Sequence, residues 1–286
     1  VSEVVATTGL RRRNSLLAVI GAYFAAPAAF AYVQRLRWGV AFALAMPVIT
    51  FVGAHTGLMF APYGYWVMLA IGFALLLCCV VMAFRFARAM PEGAPPRWYN
   101  RWYHYVWLAA LPIVAMNLVA QHRGAIFGAE PFRIPSTAME PTLTPGDFIT
   151  VDYRAGAMAK IERGDIVIFA PPHHPDQRWI KRVVGLPGER VDASGERVSI
   201  DGVPLRETWR TTPNVGASPG TYERITLGPD DYFLMGDNRP NSEDSRYTGP
   251  VERAAIQGKA RTIWLHWMKP EGFDASRIGP IDPPAR

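Results

Sequence analysis

The sequence predicts an N-terminal α-helical transmembrane region followed by a mostly antiparallel β domain that carries a small β cap. Three observations predict it. Apolar runs of about 20 residues, the length a bilayer core requires, are gathered before Gln121. Beyond that point charges become frequent, Gly and Pro punctuate the chain, and short β-branched runs appear, as in a domain of short strands and turns. Charge divides at the same place. Residues 1–124 hold ten Arg, no Lys and two acids, Glu3 and Glu92, whereas residues 125–286 hold 20 basic and 22 acidic groups. The formal charge of +6 therefore belongs to the first part, although the mean hydropathy of the whole chain is only +0.05. These arginines flank apolar segments instead of lining one patch, which argues for a lipid bilayer as partner and against nucleic acid.

The membrane region is expected to span residues 1–124. Residues 14–33 are apolar, but Pro27 interrupts them and both flanks are basic: Arg11, Arg12 and Arg13 before, Arg35 and Arg37 after. Cytoplasmic flanks attract Lys and Arg, so this stretch reads as a retained re-entrant hairpin that returns to the side it left, the alternative being a plain span with one violated flank. Residues 38–60 and 63–84 are the next spans. Their connection at Ala61 and Pro62 is uncharged while Arg85, Arg88, Arg97 and Arg101 follow the second, which puts the connection outside and the arginines inside. Met90 to Pro96 breaks helix, and Trp98, Tyr99, Trp102, Tyr103 and Tyr105 form an interfacial aromatic group leading into a last span at 103–120. His55, His104 and Asn117 read as interface or helix-end residues, with no relay between them. The adjacent Cys78 and Cys79 lie inside an apolar run and offer neither a disulfide framework nor metal spacing.

In the second part, residues 125–286, strands are expected at 147–153, 165–169, 179–184, 197–200, 222–227, 232–235 and 260–267. Asp201-Gly202, between Val198-Ser199-Ile200 and Val203-Pro204-Leu205, is a type I′ hairpin signal, because that turn needs positive φ at both central positions. The cap or β-ribbon is placed at about 191–229. His173, His174 and Asp176 are metal-ligating types, but Pro171, Pro172 and Pro175 around them make a solvated loop, so no metal and no cofactor is expected.

Three stretches carry chemistry. The first is Phe132 to Asp147, F-R-I-P-S-T-A-M-E-P-T-L-T-P-G-D, in which Pro135 and Pro141 prevent a continuous helix and leave amides and hydroxyls available. The second is Trp179-Ile180-Lys181-Arg182-Val183-Val184-Gly185-Leu186-Pro187-Gly188. The chain uses 26 arginines and only four lysines, so a lysine inside a β-branched run invites a reason. A desolvated lysine can lose its proton and act as a base, which arginine does not do. On spacing alone an edge lysine with its amine in solvent is the favoured reading. The third is Gly236 to Tyr247, G-D-N-R-P-N-S-E-D-S-R-Y, whose opening is by itself only a turn.

Together these stretches resemble the sequence boxes of type I signal peptidases, membrane-bound Ser/Lys proteases that remove leader peptides from exported proteins. The first resembles P-S-x-S-M-x-P-T-L, the second K-R-x-V-G-x-P-G and the third G-D-N-x-x-x-S-x-D-S-R. Arg163-Gly164-Asp165-Ile166-Val167-Ile168-Phe169 matches a further box, and the likeness runs from about Phe132 to Gly279. It implies Lys181 as the catalytic base, Ser242 as the hydroxyl orienting its amine, and Ser136 with the amide of residue 138 as oxyanion donors. Asp237, Asn238, Asp244 and Arg246 would support the third loop, the last two as an ion pair. Phe132, Ile134, Pro135, Met139, Leu143, Ile149, Ile168, Trp179 and Ile180 match positions lining shallow apolar pockets for small residues of an Ala-x-Ala leader end. For Ile149 and Ile168, ordinary β-core packing is an equal alternative. The family's nucleophile position is Ala138, so the reactive oxygen is missing from this chain.

The resemblance thus implies a multi-pass protein of the bacterial cytoplasmic membrane with an extracytoplasmic β-rich catalytic domain. Its expected partners are signal peptides of exported preproteins, the bilayer and the secretion translocon. Two functions stay open: a leader peptidase whose nucleophilic serine has been replaced, and a naturally inactive relative that binds exported chains or a membrane partner.

Overall fold

The structure, a computed structural model, describes residues 14–92, 94–194, 197–207, 209, 220–270 and 272–281. The flanking arginines 11–13 and most of the stretch 208–219 inside the expected cap lie outside the described residues. The chain forms two compact units, Val1–Gly53 with Trp66–Ile126, and Ala54–Tyr65 with Phe127–Arg286.

The first unit is helical. Helices α1 (Ser15–Phe24) and α2 (Ala26–Tyr32) are separated by Ala25, whose φ of −155° breaks the helix, and Pro27 falls in the first turn of α2, where no amide donor is needed. Asn14 caps α1 by accepting from the Leu16 and Leu17 amides. Small residues let the two helices close on each other, since a Cβ on Gly21 would stand 3.2 Å from that of Ala29. Three longer helices follow: α3 (Leu36–His55), α4 (Gly64–Ala89) and α5 (Trp102–Gln121), each long and apolar enough to cross a membrane. Ala18, Ala22, Ala29, Phe30 and Val33 bury against Cys79, Ala83 and Ala87 of α4. Helix α3 closes at His55, short of residue 60, because Gly57 takes a φ of +84° just beyond its end, a conformation glycine adopts without strain. A short helix, α6 (Arg123–Phe127), follows α5.

The second unit is antiparallel β. Strands β1 (Ala129–Arg133), β2 (Asp147–Asp152), β3 (Ile166–Phe169), β4 (Trp179–Gly185), β5 (Arg190–Asp192), β6 (Ser199–Ile200), β7 (Val203–Pro204), β8 (Arg224–Thr226), β9 (Asp231–Met235), β10 (Val251–Glu252), β11 (Ile256–Met268), β12 (Gly272–Phe273) and β13 (Gly279–Pro280) make two sheets. The larger runs β1-β2-β11-β3-β4-β9-β10, with β12 and β13 also paired to β11; the smaller runs β7-β6-β5-β8. The long β11 bends through register shifts at Ile256/Gly258, Ala260/Thr262 and Ile263/Leu265, which lets one strand pair with four neighbours. The hairpin read from Asp201-Gly202 is present, with φ of +52° and +81°. The sheets join at Gly185, where any Cβ would meet Val191, Leu227 and Phe233 at 2.6–2.8 Å. Val184, Val191, Val198, Leu227, Phe233 and Met235 bury around that point.

Residues Ala54–Tyr65, between α3 and α4, fold with this β unit. Thr262 donates to the Phe60 carbonyl at 2.5 Å, Tyr65 stacks on Trp264, and Met59 is buried. Arg154 reaches the Ala54 carbonyl at 3.1 Å, lies 4.4 Å above the Phe60 ring and is held from behind by Asp152.

Candidate active site

The loop between β1 and β2 is closed at its base by two backbone bonds, Ile134 N–H to the Asp147 carbonyl at 2.8 Å and Gly146 N–H to the Ile134 carbonyl at 3.1 Å. Ile134, Met139 and Leu143 point into the core and hold the loop down, whereas Ser136 and Thr137 are exposed and Ala138 is half-buried. Among the described residues the Ala138 amide makes no hydrogen bond. Its carbonyl accepts from the Asn238 amide at 3.1 Å, and Asn238 Nδ2 donates to the Thr137 carbonyl at 3.0 Å. The first and third stretches are therefore laced together, 101 residues apart in sequence. Gly236 makes the approach possible: a Cβ there would stand 2.1 Å from Ser242 Oγ and 2.5 Å from the Ala138 carbonyl oxygen. Ala138 supplies only a methyl group.

The third stretch is shaped by buried charge. Asp244 accepts from the Gly236 amide at 3.0 Å and pairs with Arg246 through bonds of 2.9 and 3.0 Å, and Arg246 also donates to the Arg239 carbonyl. Asp237 pairs with Arg182 through parallel bonds of 2.8 and 2.7 Å, both side chains being 1% exposed. Thr142 donates to the same carboxylate at 2.6 Å, which ties the first stretch to the second and third. Arg182 also lies 4.8 Å from the Trp209 ring centroid.

Lys181 sits on β4 opposite Val167 and is only 6% exposed, so the favoured reading from spacing, an amine in solvent, is not what the fold produces. Among the described residues its amine has no hydrogen bond and no ion pair; the Trp179 ring centroid is 5.8 Å away. Burial pushes the amine below the ordinary lysine value, outweighing the attraction of Asp244 and Glu243, which favours the charged form. The hydrogen bond expected from Ser242 to this amine is not made. Among the described residues Ser242 Oγ is buried without a partner, and it occupies the space beside Gly236 that a Cβ would fill.

Of the residues matched to pocket positions, Ile134, Met139, Leu143, Ile149 and Ile168 share one buried cluster, with Phe132 and Ile180 packed against it. Leu143 and Ile149 are fully buried and support this wall from behind, while Phe132, Pro135 and Ile180 keep exposed surface. Trp179 is not brought to that cluster. It packs with Phe169 and Val183, since alternate residues of a strand face opposite sides. Sequence reading left Thr142, Arg182 and Gly236 without a role, although all three lie inside the boxes that carry the resemblance. Arg277, in the R-I-G run at the end of the likeness, also reaches this loop.

Residues 104–267 match the family model described as signal peptidase, peptidase S26. The chain is 34% identical over 210 residues to a signal peptidase I of Pseudomonas aeruginosa, covering 54% of this chain and 72% of that protein. It is 36% identical over 166 residues to a signal peptidase I of Leptolyngbya laminosa, covering 55% and 75%. A crystal structure of a signal peptidase I from Enterococcus faecalis aligns with a TM-score of 0.29 at 34% identity, over 35% of this chain and 96% of that one.

Proposed function

Because the chain belongs to the signal peptidase family, peptidase S26, we propose that it is a membrane-bound leader peptidase of the Ser/Lys type in which alanine holds the nucleophile position. As it stands it engages the Ala-x-Ala end of a leader without cutting it. The observation that carries this reading is Lys181: a buried amine with no ion pair among the described residues, pushed toward its neutral form, is what a general base for a serine requires. The Ala138 amide, free among the described residues, and the exposed Ser136 hydroxyl supply donors for a developing oxyanion. Asp237, Asn238, Asp244 and Arg246 hold the surrounding loops.

With serine at the position, its Oγ attacks the scissile carbonyl while Lys181 takes the proton. The tetrahedral intermediate then collapses, the leaving amine recovers that proton from the lysine, and an acyl-enzyme remains. Water, deprotonated by the same amine, attacks the ester; the second tetrahedral intermediate expels the seryl oxygen, which takes that proton back from the lysine, and the leader leaves with a new C-terminal carboxylate. In this reading Ser242 orients the amine, which requires its hydroxyl to turn out of the space beside Gly236. Ala138 itself favours a second reading, a natural pseudoprotease that binds exported chains or the translocon.

The protein is proposed to reside in the cytoplasmic membrane of a bacterium, with α3, α4 and α5 as spans and the β unit outside. The fold of Ala54–Tyr65 with the β unit supports this, since the α3–α4 connection then shares that unit's side. The test is cleavage of a leader peptide added outside sealed proteoliposomes, at mildly alkaline pH, by the chain as given, by Ala138→Ser, and by Ala138→Ser combined with Lys181→Met or Lys181→Arg. Ala138→Ser should cleave and the three other chains should not. An inactive Ala138→Ser chain that still binds precursor would favour the pseudoprotease, and cleavage by the chain as given would mean that the nucleophile lies elsewhere.

A further inference from the structure

We infer that Arg277 is a positioning residue for position 138, gripping the loop that carries it from a point 130 or more residues away in sequence. Thr142, four residues after Ala138, is held twice. Its hydroxyl donates to Asp237 at 2.6 Å and accepts from Arg182 at 3.2 Å. Its carbonyl accepts from Arg277 Nη2 at 3.1 Å. A fully buried Arg–Asp pair and a partly buried one thus close on one residue from two separate elements, β4 and the turn after β12.

The second pair reaches further into the loop. Arg277 donates to both oxygens of Asp147, at 2.8 and 2.6 Å, and Asp147 has no exposed surface. The same carboxylate accepts from the Thr144 amide at 2.8 Å and meets His266 Nδ1 at 2.7 Å, while the Asp147 carbonyl closes the loop's base on Ile134. Burial alone would raise the Asp147 carboxyl, but hydrogen bonds from Arg277, the Thr144 amide and His266 outweigh it and hold the group ionised. Arg277 is presented by a turn, Ala275–Arg277, that Asp274 caps through the Ser276 amide and hydroxyl at 2.8 and 2.7 Å.

Between Ile134 and Asp147 the loop has few backbone bonds of its own, Glu140 to Thr137 and Leu143 to Met139 among them. Its path therefore depends on side chains outside it. A misplacement of about 1 Å at a reacting group costs on the order of 100-fold in rate, so loosening Thr142 reaches the chemistry without touching it. Arginine suits the task because one rigid planar fork meets both Asp147 oxygens and the Thr142 carbonyl in a fixed geometry, whereas an ammonium offers its donors from a single point on a flexible stem.

This role rests on the reading of position 138 as the nucleophile position, and the experiment separates the two. Arg277→Gln and Arg277→Lys are made in the full chain, with and without Ala138→Ser. Steady-state cleavage is measured on the serine chains, and backbone hydrogen exchange by mass spectrometry on all of them. Arg277→Gln should lower kcat by about 10- to 100-fold with KM within about threefold, and Arg277→Lys should recover only part of the loss. Amides of residues 136–146 should exchange at least about tenfold faster in Arg277→Gln, with β4 and β9 unchanged. Exchange that rises evenly across the β unit, or does not rise in the loop, overturns the inference, as does an unchanged kcat. If Ala138→Ser proves inactive, the function reading fails, and the exchange measurement on the alanine chains still decides whether Arg277 positions the loop.

Discussion

Replacing Asp237 by alanine should remove more stability than any other single truncation in the site. The carboxylate is fully buried and receives Arg182 Nε at 2.8 Å, Arg182 Nη2 at 2.7 Å and the Thr142 hydroxyl at 2.6 Å. Asp237→Ala leaves the guanidinium at 1% exposure with the Gly164 carbonyl, the Thr142 oxygen and the Trp209 ring, none of which carries opposite charge. Removing one partner of such a pair costs about 3–5 kcal/mol, because the other charge stays buried. Loss of the Thr142 acceptor adds about 1 kcal/mol. A domain in this size range shifts its midpoint by roughly 2–4 °C per kcal/mol, so the β unit should melt roughly 10–20 °C lower. The assay is near-ultraviolet circular dichroism of the full chain in detergent, at one heating rate for all variants, because unfolding of a membrane protein is often irreversible. Combining Asp237→Ala with Arg182→Met should restore a large part of the loss, since no charge then remains to be desolvated. A shift below about 3 °C for Asp237→Ala, or a double variant at the sum of both single losses, would refute the reasoning.

Lys181→Met should stabilise the protein at neutral pH. The native amine lies below its ordinary value of 10.5, so between the two values the unfolded chain binds the extra proton and the stability of the lysine form rises with pH. The advantage of Lys181→Met should therefore shrink by about 1.4 kcal/mol per pH unit inside that window, and unfolding followed as pH rises toward 10.5 would expose the error if the advantage grew or never shrank. Arg154→Ala should cost about 1–3 kcal/mol, since it removes the partner of Asp152 and the contacts to Phe60 and the Ala54 carbonyl, with Arg261 left 3.7 Å from the carboxylate. Limited chymotrypsin cleavage at Phe60, Tyr63 or Tyr65 should rise in the same variant, and unchanged protection would show that this segment is held by other means.

Much of the architecture was legible locally. β2, β3, β4 and β9 fall where β-branched and aromatic residues alternate between turn signals, and their limits differ from expectation by a residue or so. β1 was not legible, because Ala129-Glu130-Pro131-Phe132-Arg133 contains a proline and two charges. It is a strand because it pairs with β2 at the edge of the sheet, where proline is tolerated. The start of β11 was missed for a similar reason: Gln257-Gly258-Lys259 has low strand propensity, yet Gly258 is what lets the strand pass Val151, 2.6 Å from where its Cβ would lie. The end of α3 was read too late because Thr56 to Phe60 stays apolar, while those residues fold with the β unit.

In the candidate site the sequence by itself determined which residue types are present: Lys181 in a β-branched run, Ser136 and Ser242 in their boxes, and Ala138 at the position the resemblance gives to the nucleophile. Hydrophobic alternation and turn chemistry act over a few residues, and a motif is a local string, so both can be read along the chain. Tertiary structure alone decided that Lys181 is buried with no ion pair among the described residues, that Ser242 is turned into the space beside Gly236, and that Arg182 and Arg277, paired with Asp237 and Asp147, both meet Thr142. Those pairings join residues 55 and 130 apart, and every arginine in the chain carries the same charge and the same fork. Only burial, which removes water as the competing partner, selects which carboxylate each one keeps.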